Sequence, residues 1–138
     1  MAQRIRLQIK KVQGDLVKGI ERIIGEGAFA SFSAIVLASP VDTGHFRNNW
    51  QVGINERKLG ILEGVDKSGG PTIQKNESVF ANYEMGKGQG NKIIFSNNVA
   101  YALRLNQGHS GQAASGFVQK ALRAGIKALG VSGKIFKS

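Results

Sequence analysis

Cysteine is absent from this 138-residue chain, which removes a disulfide framework and every metal site built on thiolates. The absence also fits maturation in a reducing cytoplasm. Apolar residues nowhere run to the ~18 that a membrane-crossing helix needs, and no hydrophobic core follows the basic N-terminus as it would in a signal peptide. A soluble, unprocessed chain with no membrane partner is therefore expected. Acidic residues are scarce: nine, against nineteen Lys and Arg, for a formal net charge of +10. Such an excess attracts polyanions through long-range fields and counterion release, and it also keeps a small protein in solution. The bases crowd the two ends, with Arg4, Arg6, Lys10, Lys11 and Lys18 at the start and Lys120, Arg123, Lys127, Lys134 and Lys137 at the finish. Of these, Arg4, Arg6, Lys10 and Lys11 are the candidate DNA contacts.

What is present reads as one domain over residues 1–138, long enough to bury a real core. Ile9, Val12, Leu16, Ile20, Ile23, Ala28, Phe32, Ile35 and Val36 recur three or four apart, the signature of one helix face. The helix is expected over residues 15–38, about 36 Å at 1.5 Å per residue, and Pro40 ends it because the residue before a proline leaves helical geometry. Gly25 and Gly27 weaken a helix interior and are read as room for a sheet to approach. Residues 1–11 alternate basic and apolar, as much a strand pattern as a helical one, and suggest an arm that orders against a neighbour. Trp50, Val52 and Ile54 alternate as a half-buried strand. Leu59, Ile61, Leu62 and Val65 suggest a second strand after a hairpin turn at Asn55-Glu56-Arg57. Residues 67–71 read as a mobile loop, with 67–74 expected to order on binding. Residues 78–85 fit a short strand or a helical turn, and Gly86 to Asn91 a flexible turn. Ile93, Ile94 and Phe95 form a strand, followed by a short helix from Val99. A longer helix then carries Phe117, Val118, Ala121, Leu122 and Ile126, with Ser115 at its N-cap. Residues 131–138 look like a tail. The class expected is α+β: a long N-terminal helix and a C-terminal helix packed on a small, mainly antiparallel sheet of the Trp50, Leu59 and Ile93 strands.

Asp42-Thr43-Gly44 matches the loop in which aspartic proteases hold a carboxylate, and that chemistry needs two such groups sharing a proton. Those loops follow an apolar strand and continue with a small residue; here Ser39-Pro40 precedes and His45 follows. The triplet is read as a turn in which Asp42 bonds backbone amides and Gly44 takes positive φ. His45 and His109 are the only imidazoles, without the partner spacing of a zinc site. Gly86 to Gly90 lacks the pattern of a phosphate cradle, and Ser110 lacks a nucleophile elbow. Arg47 is expected to pin the turn by pairing with Trp50 or Asp42. Tyr101 and Phe117 are read as core aromatics. No catalytic residue, cofactor or metal is expected.

Two blocks then stand out: Ser39-Pro40-Val41-Asp42-Thr43-Gly44-His45-Phe46-Arg47-Asn48-Asn49-Trp50, and Asn91 to Arg123 with Asn98, Tyr101, Gly108 and His109. In that order they resemble the neck and tail-completion proteins of long-tailed bacteriophages, which read P-V-D-T-G-x-L-R-x-x-W early and I-x-N-x-V-x-Y-A-x-x-L-x-x-G-H-S-x-Q-A later. The resemblance covers residues 15–129, with His45-Phe46 departing from the usual pair and residues 60–90 matching least. It implies a non-enzymatic virion protein at the head-tail junction, made in the host cytoplasm. There it would form a homo-oligomeric, six-fold ring between the head connector and the tail terminator or tail tube protein, around a channel that passes genomic DNA. It also implies that Asp42, Thr43, Gly44, Arg47, Trp50, Asn98, Tyr101, Gly108 and His109 are structural motif residues. The rivals are a stand-alone basic nucleic-acid-binding protein and the adjacent tail terminator.

Overall fold

The computed structural model describes residues 2–86, 90–108 and 115–128. His109, Ser110 and the 131–138 tail lie outside the described residues. The elements in chain order are α1 (Ala2–Ala38), α2 (His45–Asn48), β1 (Gln51–Ile54), α3 (Gly70–Ala81), β2 (Ile93–Ser96), α4 (Ala102–Asn106) and α5 (Phe117–Ala128). This is the α+β arrangement expected, with a long first helix, a C-terminal helix and a small antiparallel sheet. The strands pair in the register Val52 to Phe95 and Ile54 to Ile93.

Only the second half of α1 belongs to the core. Phe32, Ile35 and Val36 are fully buried, and around them α1 packs against α5 and α3. Phe32, Phe80 and Phe95 stack on one another with ring centroids 5.3 to 5.9 Å apart, joining α1, α3 and β2. A second aromatic group centres on Phe46, edge-on to Trp50 and to Phe117, and brings in α2 and α5. The helices approach closely where a side chain is missing. A Cβ at Gly25 would lie 2.6 Å from the Phe80 carbonyl oxygen, and one at Gly125 would collide with the backbone of Ser31. Ser31 Oγ donates to the Leu122 carbonyl across that same crossing. Gly25 thus makes room for α3, not for the sheet that its position in the sequence suggests.

Several expectations give way here. Residues 2–11 are the first turns of α1, so the helix has 37 residues, about 55 Å at 1.5 Å per residue; their alternating pattern is not a strand. The Leu59 strand does not form: the sheet has two strands, β1 and β2. At the end of β1, Asn55 takes φ 60°, donates its N–H to the Lys92 carbonyl and accepts the Lys92 N–H on Oδ1. Those bonds commit the strand end to the β2 side and send the chain away from a hairpin. Leu59, Ile61 and Val65 then stand 80, 56 and 60% exposed. Side chains hold the loop in place of strand partners. Asn49 bonds both the N–H and the carbonyl of Leu62, Asn48 donates to Glu63, and Gln51 and Asn98 donate to Gly60.

Residues 67–74 are ordered too, as the cap and first turns of α3. Asp66 accepts the Gly69 N–H on one carboxylate oxygen, and the Thr72 N–H and hydroxyl on the other, at 2.6 to 2.8 Å. Pro71 lies in the first turn, where its missing N–H costs nothing. Residues 78–81 complete this helix. Ser115 is displaced from its expected role, since the Val118 N–H at the start of α5 donates to Asn106 Oδ1 of α4.

Candidate functional site

The first motif block closes on Ser39, the residue after α1. The last carbonyls of a helix lack intrahelical partners, and Arg47 supplies them. Its Nη2 donates to the carbonyls of Leu37 and Ser39 at 3.1 and 2.7 Å, while Nη1 donates to that of Lys67 at 2.6 Å. A cation at a helix C-terminus is also favoured by the macrodipole. Trp50, 7% exposed, donates Nε1–H to Ser39 Oγ at 2.8 Å, and Ser39 in turn donates to the Ile35 carbonyl. Arg47 and Trp50 therefore both turn back to the end of α1. The pinning role expected of Arg47 is present, with backbone carbonyls as the partners instead of Asp42 or the indole.

Gly44 is the second contact of this staple. Its φ is 96°, and a Cβ there would lie 2.8 Å from backbone atoms of Asp66. The Gly44 carbonyl accepts the N–H groups of both Asn48 and Asp66. Thr43 Oγ1, not Asp42, accepts the local amide, from His45. Asp42 is exposed and makes no hydrogen bond among the described residues. His45 Nδ1 is 3.2 Å from the Gly64 carbonyl and 3.5 Å from Asn49 Nδ2.

Asp66 is the member that sequence reasoning missed, along with Thr72 and Asn76; Ser39 and Asn49 stand in the first motif block without a role read from the sequence, and all five are buried. Burial pushes the Asp66 carboxyl pKa upward, but hydrogen bonds from the Thr72 side chain and backbone, the Gly69 N–H and Ser68 outweigh it and hold the group below its ordinary value. Of the second block, Asn98 accepts from Arg57 on Oδ1 and donates to the carbonyls of Lys58 and Gly60, tying the 55–65 loop to the end of β2. Gly108 ends α4 at φ 95° against Ser115. Tyr101 is 42% exposed with its ring 6.2 Å from that of Phe46, so it rims the core and is not part of it.

An open groove of about 780 Å³ runs between the motif turn and α4, lined by Asp42, His45, Tyr101, Arg104 and neighbours. Asp42 and His45 meet there, while Arg47 and Trp50 face the end of α1. The four candidate DNA contacts, Arg4, Arg6, Lys10 and Lys11, are all exposed on the first turns of α1. Alongside them Ile5, Ile9, Val12, Leu16, Ile20 and Ile23 form a stripe at three- and four-residue spacing, between 39 and 66% exposed. No helix among the described residues is long and apolar enough to cross a membrane. A scan against protein-family models and searches of curated proteins and of solved structures each find no match.

Proposed function

We propose that this chain is a structural protein of the phage head-tail junction, a neck or tail-completion subunit that assembles as a ring between the head connector and the tail. The place in the virion rests on the two sequence blocks, in order, that resemble that family. The assembly role rests on one structural observation, the apolar stripe along the uncovered half of α1. Six branched aliphatic side chains facing water on a helix with interior glycines at Gly14 and Gly19 are unfavourable alone. Helical stability in proteins comes mostly from packing of the amphipathic face, each such glycine costs about 1 kcal/mol, and extended exposed apolar patches mark interaction sites. Arg47, Trp50 and Gly44 fit a wedge that keeps the base of that helix rigid.

In this reading the chemistry is burial of surface between copies, through head-to-tail contacts that close by rotation. Bases that face the channel would hold DNA phosphates without reading sequence. Immunogold labelling of intact phage particles tests the placement: label is expected at the neck, and label confined to capsid or tail tip would reject it. A stand-alone nucleic-acid-binding protein is the second reading, favoured by the four exposed bases on one helix. It predicts tight, steeply salt-dependent DNA binding by the isolated monomer, which the neck reading does not.

A further inference from the structure

In a chain of net charge +10, one surface has the opposite sign. A groove of about 560 Å³ between the middle of α1 and the end of α3 is lined by Glu21, Glu26, Glu77 and Glu84, against Lys18 and Arg22. Four of the chain's nine acidic residues thus lie in this one groove. The carboxylates stand on both walls, Glu21 and Glu26 on α1, Glu77 and Glu84 across from them. Between them Phe29, Phe80 and Ala81 supply an apolar floor. Glu26, Glu77 and Glu84 are exposed, and among the described residues the one ion pair is Lys58 with Glu56.

The start of α1 is the complement of this groove. No acidic residue precedes Asp15, and at 3.6 residues per turn Arg4 and Lys11 border the Ile5, Ile9, Val12 stripe on one side and Arg6 and Lys10 on the other. An apolar ridge with cationic flanks matches an apolar floor with anionic walls. We infer that the first turns of α1 of one copy lie in the groove between α1 and α3 of the next, so that this helix is the head-to-tail link of the ring. The contact is heterologous, as a closing ring requires, and opposite charges across it fix the register and suppress wrong pairings. The exposed loop at Leu59 and Ile61 is a poorer seat, because Arg57, Lys58 and Lys67 there balance Glu56, Glu63 and Asp66, whereas in the groove four carboxylates outnumber Lys18 and Arg22.

This inference rests on the ring reading, and the two fail differently. Sedimentation of the full chain is compared with that of two double variants, Lys10→Glu with Lys11→Glu, and Glu77→Lys with Glu84→Lys. Each variant alone is expected to lose the oligomer at concentrations where the parent chain assembles. An equimolar mixture is expected to regain it, since each altered helix then meets a groove of opposite charge. Parent-like assembly by either variant, or a mixture that stays apart, overturns the contact while the ring stands. A parent chain that stays monomeric even with the connector takes the ring reading down and the contact with it. The lack of native cysteine allows a second test in one chain, Ile9→Cys with Ala81→Cys. Oxidation is expected to give a ladder of covalent multimers, and monomers alone would contradict the docking.

Discussion

Arg47 shows what the motif's polar residues are for. Its guanidinium satisfies three carbonyls from two segments at once, a fork that an ammonium cannot reproduce. Arg47→Lys is therefore expected to lower stability by about 1–3 kcal/mol, the cost of leaving such acceptors unpaired, read from the urea midpoint. Asp66 gives a pH signature. Its folded pKa lies below the ordinary value of 3.8, so its contribution is complete at neutral pH and is lost as pH falls from about 4 through the folded value. Asp66→Asn should flatten the stability profile in that acid window and cost roughly 1–3 kcal/mol at pH 7; an unchanged profile would show that the carboxylate does not cap α3. The sequence displayed Arg47 and Trp50 by their spacing, yet not their partner, because a lone serine such as Ser39 carries no pattern. Asp66 was hidden for the same reason: its partners are backbone amides, which every residue possesses.

At the level of elements, periodicity located what hydropathy could express. Phe32, Ile35 and Val36 at the end of the first helical face, the Val52 and Ile93 strands and the Phe117 helix bury apolar side chains, and all were legible; the same periodicity also marked Leu16, Ile20 and Ile23, which stay exposed. Helix α3 was not legible, since its inward stripe is Thr72, Asn76 and Phe80, two of them polar and satisfied by hydrogen bonds to Asp66 and to the Thr72 carbonyl. The 55–65 loop misled in the opposite direction, with strand-like residues that point to solvent while asparagines hold the backbone. The helix crossings rest on glycines whose neighbours are backbone atoms that cannot move aside. Gly125→Leu should force α5 away from Ser31, and Gly25→Val should force α3 away from α1, each at about 1–3 kcal/mol as for other overpacked sites. Thermal unfolding followed by circular dichroism reads both, and wild-type midpoints would mean that the crossings are looser than the clearances at Gly25 and Gly125 imply.

For the whole molecule, the division of α1 matters most. Its second half is core and its first half is uncovered, so removing residues 2–14 should leave the unfolding transition of the body within about 0.5 kcal/mol of the intact chain, the range of surface changes, while abolishing self-association. The same split explains why the sequence alone left residues 1–11 ambiguous: with nothing from its own chain packed against it, that segment has no burial pattern to declare. The proposed neck role stands on the resemblance of two sequence blocks, and the proposed ring would assemble through the uncovered helix. The mass of the purified chain in solution tests that most directly. The account predicts a closed oligomer of one size, alone or once the connector protein is added, and a monomer when residues 2–14 are missing. An intact chain that remains monomeric at every concentration, with the connector and tail proteins present, would contradict it.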